Sequence, residues 1–203
     1  MLARLIIGVL AVVIFGCGGD SDQPSAGREQ GGKAGDVIKL GFLGPLSGDN
    51  AGSGIDLLNA ATLAVDEINA ADGVLGRRIE LVPVDDACDP QTATAAAQKL
   101  LGQGIAGVTG GYCSGAAIPE SDVLQPQGIP YIVMATNPAV TERGLNTVFR
   151  NAGRDDRQGV FAARFLAGPA GARKLAILHN NSTYAKGLAE HTRTANDDLK
   201  LGM

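Results

Sequence analysis

The chain has 203 residues, carries a net charge of −4, and is 45% hydrophobic and 19% charged. The acidic balance excludes the basic footprint of a nucleic-acid binder, and the apolar content is that of a globular domain rather than a disordered chain. Glycine is abundant at 29 residues, which suits a fold with many tight strand-to-helix turns.

Residues 1–17 read as an export signal. Arg4 supplies the positive start, and the apolar run from Leu5 to Phe15 falls short of the about 20 residues that a membrane span needs. Ile14-Phe15-Gly16-Cys17 has the form of a bacterial lipobox, so Cys17 is expected to become the lipid-bearing first residue of the mature protein. A plain membrane anchor, or an uncleaved signal with a buried thiol, is the alternative. Residues 18–36 are rich in Gly, Ser, Asp, Gln and Lys, lack apolar periodicity, and read as a flexible linker.

From Val37 onward, short apolar runs alternate with segments of helical spacing. Val37 to Leu43 reads as a strand that stops at Gly44-Pro45. Ile55, Leu58, Thr62, Val65 and Ile68 fall on one helix face, and Asp72-Gly73 ends that helix. Arg78 to Val84 alternates as a second strand. Asp89 caps the next helix, with Pro90 at its first position, and Ala93, Ala96, Ala97 and Leu100 form its apolar face. Gly104 to Thr109 and Pro130 to Met134 read as strands flanking a helix over Ala116 to Leu124. Thr147 to Arg150 is a short extended piece. A helix over Asp156 to Ala167, a strand over Lys174 to His179 and a helix over Thr183 to Leu201 complete the series. Such alternation predicts parallel βαβ units in an α/β, doubly wound sheet. After Leu201 that pattern calls for another strand, so the chain reads as a truncation of a longer protein. The alternative is a small domain closed by a terminal helix.

Ligands of open α/β sheets bind at the carboxyl ends of the strands. Here those are Gly44 to Ser53, Gly110 to Gly115, Ala135 to Pro138 and Asn180 to Tyr184, all bearing Gly, Ser, Thr or Asn. Ser114, just before a helix, offers a hydroxyl and helix amides to an anion such as a carboxylate; as a bare helix cap it would bind nothing. Thr136 offers a second hydroxyl. Gly111-Tyr112-Cys113-Ser114-Gly115 also has the form of a nucleophile elbow, which with His179 would suit a cysteine hydrolase or amidase. Against that, an exported thiol tends to be oxidised, and Cys88 is available as a partner. Asp85, Asp86 and Asp89 lack the spacing of a calcium loop and read as a solvated turn.

The run Gly41-Phe42-Leu43-Gly44-Pro45-Leu46-Ser47-Gly48 resembles the opening of periplasmic binding proteins of the branched-chain amino acid type. So do Ala64-Val65-Asp66-Glu67-Ile68-Asn69, Asp85-Asp86-Ala87-Cys88-Asp89-Pro90, Tyr112-Cys113-Ser114, Asn137-Pro138 and Tyr184-Ala185-Lys186-Gly187. The resemblance runs from Val37 to the end of the chain. It implies a two-lobed clamshell, with residues 37–150 as the ligand-binding first lobe and 151–203 as a partial second one. It implies a disulfide between Cys88 and Cys113. It assigns Ser114 and Thr136 to the ligand's carboxylate and ammonium, a backbone carbonyl at Met134 and the side chain of Tyr112 to the pocket, and Tyr184 to the second lobe's contribution. Ser53 stands near the place where some members carry a tyrosine.

The expected function is therefore the extracytoplasmic substrate-binding component of an ABC importer. It binds an aliphatic amino acid or related small carboxylate, partners a membrane permease, and works as a lipid-anchored monomer at the outer face of the cytoplasmic membrane or in the periplasm. Neither catalysis, nor a cofactor or metal, nor nucleic acid is expected. The readings kept beside it are the exported cysteine enzyme and the ligand-sensing domain of a receptor or regulator.

Overall fold

The structure is a computed structural model and describes residues 37–203. The expected export signal, Cys17 and the expected linker over 18–36 lie outside the described residues. Five strands, β1 (Ile38–Gly44), β2 (Ile79–Asp85), β3 (Gly107–Gly110), β4 (Tyr131–Val133) and β5 (Val148–Arg150), form one sheet in the order β2-β1-β3-β4-β5. Every neighbouring pair is parallel, with Leu40 opposite both Leu81 and Gly107, and Tyr131 opposite Val108 and Val148.

Helix α1 (Ala51–Ala70) follows β1. It approaches Pro45 so closely that a side chain at Gly54 would lie 1.7 Å from the Pro45 carbonyl oxygen. Helix α2 (Pro90–Leu101) starts as its sequence dictates: the Asp89 carboxylate accepts from the N–H groups of Gln91 and Thr92, and Pro90 needs no acceptor. Its inward residues, Ala93, Ala96, Ala97 and Leu100, are three and four apart, so one stripe faces the sheet. Helix α1 lies against Ile79, Leu81 and Pro83, whereas Val82 and Val84 face the core beneath α2 and α3 (Ser114–Leu124). Alternate residues of β2 thus meet helices on opposite faces, the signature of a doubly wound sheet. Leu43, Leu100, Leu124, Tyr131, Val133 and Val140 are all fully buried in that core. Each such leucine or valine contributes roughly 1.5–3 kcal/mol by leaving water.

Helices α4 (Asp155–Ala167) and α5 (Thr183–Asp198) pack mainly on each other, closely enough that a side chain at Gly159 would strike the backbone of His191. Three expectations are corrected. Lys174 to His179 is not a strand; it is irregular, with Leu178 95% exposed. A strand exists only through its ladder to a neighbour, and all five strands of the described residues lie before residue 151. Ser114 does not precede α3 but is its first helical residue, with Cys113 as the N-cap. Thr147 to Arg150 is more than an extended piece, since residues 148–150 pair with β4 as the edge strand β5.

Candidate functional site

The strand order reverses between β1 and β3, which places a crevice at the carboxyl ends of these strands. The turn after β3 is possible only for glycine. Gly110 and Gly111 have φ of 115° and 58°, and a side chain on Gly110 would lie 2.0 Å from the Leu43 carbonyl. Gly111 donates its N–H back to that carbonyl at 2.8 Å, and the chain is launched into Tyr112-Cys113-Ser114.

Cys113 is bonded to Cys88 in a disulfide, with Cα atoms 5.4 Å apart. Cys88 sits in a turn built by carboxylates. Asp85 accepts from the backbone of Leu46 and Ala87, each at 2.8 Å, and from the Ser47 hydroxyl; Asp86 accepts from Cys88 N–H at 2.8 Å. Burial pushes the Asp85 carboxyl up, but the hydrogen bonds from Ser47, Leu46 and Ala87 outweigh it and hold the group below its usual range. Both Asp85 oxygens thus serve protein donors. The elbow reading loses its nucleophile, because a sulfur in a disulfide is not a thiolate. His179 is exposed in an irregular segment, its Nδ1 accepting from Asn181 N–H.

Ser114 is 2% exposed, and its Oγ accepts a long hydrogen bond, 3.4 Å, from Asn137 N–H. The loop after β4 therefore touches the start of α3, and half-buried Thr136 lies one residue from that contact. The Thr136 carbonyl accepts from Asp155 N–H at 3.0 Å, which places the first turn of α4 behind it. Asp155 is wholly buried, and neither carboxylate oxygen meets the strict geometry of a hydrogen bond, although the Thr136 hydroxyl lies near enough to interact. Burial pushes this carboxyl up; Thr136, His191 and Arg150 pull it back only in part. A hydroxyl at a helix start, a second hydroxyl and a buried carboxylate thus stand together.

The start of α5 closes one side of this cluster. Asn137 Nδ2 donates to the Thr183 carbonyl at 3.3 Å, and Gly115 and Gly187 let α5 approach α3 and Asn137. Tyr184, in the first turn of α5, is exposed, as are Tyr112 and Met134. A polar groove lined by Asn137, Asn181, Thr183, Lys186 and Glu190 runs beside them. Ser53 stands apart, half-buried in the first turn of α1, with no hydrogen bond among the described residues to the Ser114 cluster. Asp155 carries no signal of its own in the sequence. Arg154-Asp155-Asp156-Arg157 reads as a solvated helix start, and only the tertiary fold shows which of the two aspartates turns inward.

Residues 37–199 match the family model described as periplasmic binding protein. An amino acid binding protein of Pseudomonas aeruginosa is 45% identical over 160 residues, which are 78% of this chain and 42% of that protein. The Leu/Ile/Val-binding protein of Escherichia coli K12 is 38% identical over 166 residues, 81% of this chain and 44% of its own length. Among solved structures, the branched-chain amino acid transporter substrate binding protein LivJ of Streptococcus pneumoniae, in complex with isoleucine, superposes with a TM-score of 0.73 at 32% identity, over 78% of this chain and 46% of that one. The chain spans about half the length of the curated relatives it matches.

Proposed function

The chain belongs to the periplasmic binding protein family, and we propose that it supplies the ligand-gripping half of an extracytoplasmic substrate-binding protein that feeds an ABC importer. Membership implies export to the periplasm. In this reading residues 37–150 are the first lobe, residues 151–203 are part of a second, and the ligand is a branched-chain or other aliphatic amino acid, or a related small carboxylate. The observation that carries it is the Ser114 cluster: two hydroxyls and a buried carboxylate at one strand-end crevice.

An amino acid is a zwitterion, so it needs donors for one end and acceptors for the other. Ser114 Oγ–H and the first N–H groups of α3, which have no intrahelical acceptors, suit the carboxylate. The Thr136 hydroxyl, the Met134 carbonyl and the Asp155 carboxylate suit the ammonium. Tyr112 and Tyr184 are the aromatic walls, and closure of two lobes around the ligand is a hinge transition. Ser53 would touch only a ligand's far end. No bond is made or broken, and Cys113 is a staple that fixes the start of α3 rather than a reagent. The membrane permease, lipidation at Cys17 and a monomeric state complete the proposal.

Titration calorimetry with leucine and isoleucine tests it, using the complete gene product. Ser114→Ala removes a hydrogen bond to a charged group and should weaken binding about tenfold or more. Unchanged affinity would overturn the assignment of the site.

A further inference from the structure

We propose that Arg150 is a positioning residue for the ligand site, holding the backbone of residues 135–137 in the arrangement that presents Thr136 to the ligand. The inference rests on the site proposed above. Arg150 is the last residue of β5, and its charge also acts on the Asp155 carboxylate. Its Nη1 donates to the carbonyl of Ala135 at 2.7 Å and to the carbonyl of Asn137 at 2.9 Å, the two carbonyls that flank Thr136. Its Nη2 donates to the Thr141 hydroxyl. The carbonyl between, that of Thr136, is taken by Asp155 N–H at 3.0 Å. Three consecutive carbonyls are thus fixed by one short segment, residues 150–155.

The segment needs this help because β4 ends at Val133 and its pairing stops with the Ala135 N–H, which donates to the Gly111 carbonyl at 2.8 Å, so residues 136 and 137 have no ladder of their own. If the loop rolled about its axis, Asn137 N–H would leave Ser114 Oγ at the same time as Thr136 turned. One guanidinium therefore sets both hydroxyls. Arginine suits the task in a way lysine does not. Its planar fork aims several fixed donors at once, whereas an ammonium is a point charge on a flexible stem. Burial first, then the nearby Arg154, presses against its charge, but a guanidinium stays protonated. The position also has a mechanical meaning: residues 150–155 lead from the sheet into α4, so a movement of α4 is carried directly to the carbonyls around Thr136.

Arg150→Ala and Arg150→Lys in the complete gene product test this, with Thr141→Val as the control that removes only the outer hydrogen bond. Leucine affinity, thermal midpoint and amide exchange are read for each. Both Arg150 variants should bind leucine about tenfold or more weakly, and the amides of residues 134–141 should exchange faster while those of β1 and β3 keep their protection. Thr141→Val should stay within about twofold of the parent affinity. Affinity unchanged in both Arg150 variants overturns the proposal, as does a lowered midpoint with uniform exchange and no local effect on 134–141. If the unmutated protein binds no amino acid, the ligand reading fails, and the exchange at 134–141 still decides whether Arg150 holds the loop.

Discussion

Glu120 is completely buried on the inward face of α3, among Ala116, Ala117, Ser121 and Leu124. The Tyr131 hydroxyl donates to its Oε2. Its Oε1 and the Oδ2 of equally buried Asp86 meet no donor from the protein, yet the two side chains are hydrogen-bond neighbours. Two carboxylates offer only acceptors, so the contact is satisfied when one proton lies between them. Burial first, then the Asp86 charge, pushes the Glu120 carboxyl well up, against the Tyr131 hydrogen bond. Burial also pushes Asp86 up, with Asp85 adding to it, against the hydrogen bonds from Cys88 and Glu120. Groups with a raised folded-state pKa give stability that is full below the unfolded value, about 4, and is lost as pH rises through the folded one. In Glu120→Gln the amide donates to Asp86 while its carbonyl accepts from Tyr131, which mimics the protonated acid. The parent's thermal midpoint should therefore fall relative to that of Glu120→Gln as pH rises above about 5, by scanning calorimetry. Parallel curves would mean that no proton is shared. The sequence carries a trace of this: Glu120 is a charge on an apolar stripe of helical spacing. Its partners, from the turn after β2 and from β4, are invisible without the fold, as are those of Asp155 and Arg150.

The turn over residues 85–89 is the element that departs furthest from ordinary backbone. Ala87 and Cys88 have φ of 50° and 54°, a left-handed conformation costing about 1 kcal/mol or more for a residue with a side chain. The two carboxylates just before them hold them there, with Asp85 on Ala87 N–H and Asp86 on Cys88 N–H. Ala87→Gly should relieve more strain than it adds in unfolded-chain freedom, raising stability by up to about 1 kcal/mol in urea denaturation. A lower midpoint would show that Ala87 packs in a way that outweighs its φ. Elements were legible where local chemistry decides them. Apolar runs ended by Gly-Pro, the Asp89-Pro90 start of α2 and the inward stripe of that helix are all in the letters. The failure at Lys174 to His179 is instructive, because the apolar pattern there is sound and what is missing is a neighbour to pair with. Ser114 moved by one position for a related reason: the disulfide puts Cys113 at the cap, and local propensity does not encode that.

At the scale of the molecule, the sheet is covered unevenly. Helices α2 and α3 seal one face and α1 covers β1 and β2 on the other, but Ile132 and Phe149 remain about half exposed on β4 and β5. Phe161 and Phe165 lie stacked on the outside of α4, 71% and 51% exposed. Apolar surface gathered in this way binds hydrophobic dyes. Phe161→Ser with Phe165→Ser should lower the anilinonaphthalene-sulfonate fluorescence of the 203-residue chain while moving its stability by no more than about 0.5 kcal/mol per site. A large loss of stability would show that the pair is packed rather than bare. The bracket of residues 150–155 around three successive carbonyls bears on attempts to redirect the protein to a new ligand. With that backbone pinned from behind, substitutions at Thr136 itself alter only a side chain, and under the proposed ligand reading a library aimed at altered selectivity is better spent on exposed Tyr112 and Tyr184, whose rings would be exchanged without loosening the grip on the common head of the molecule.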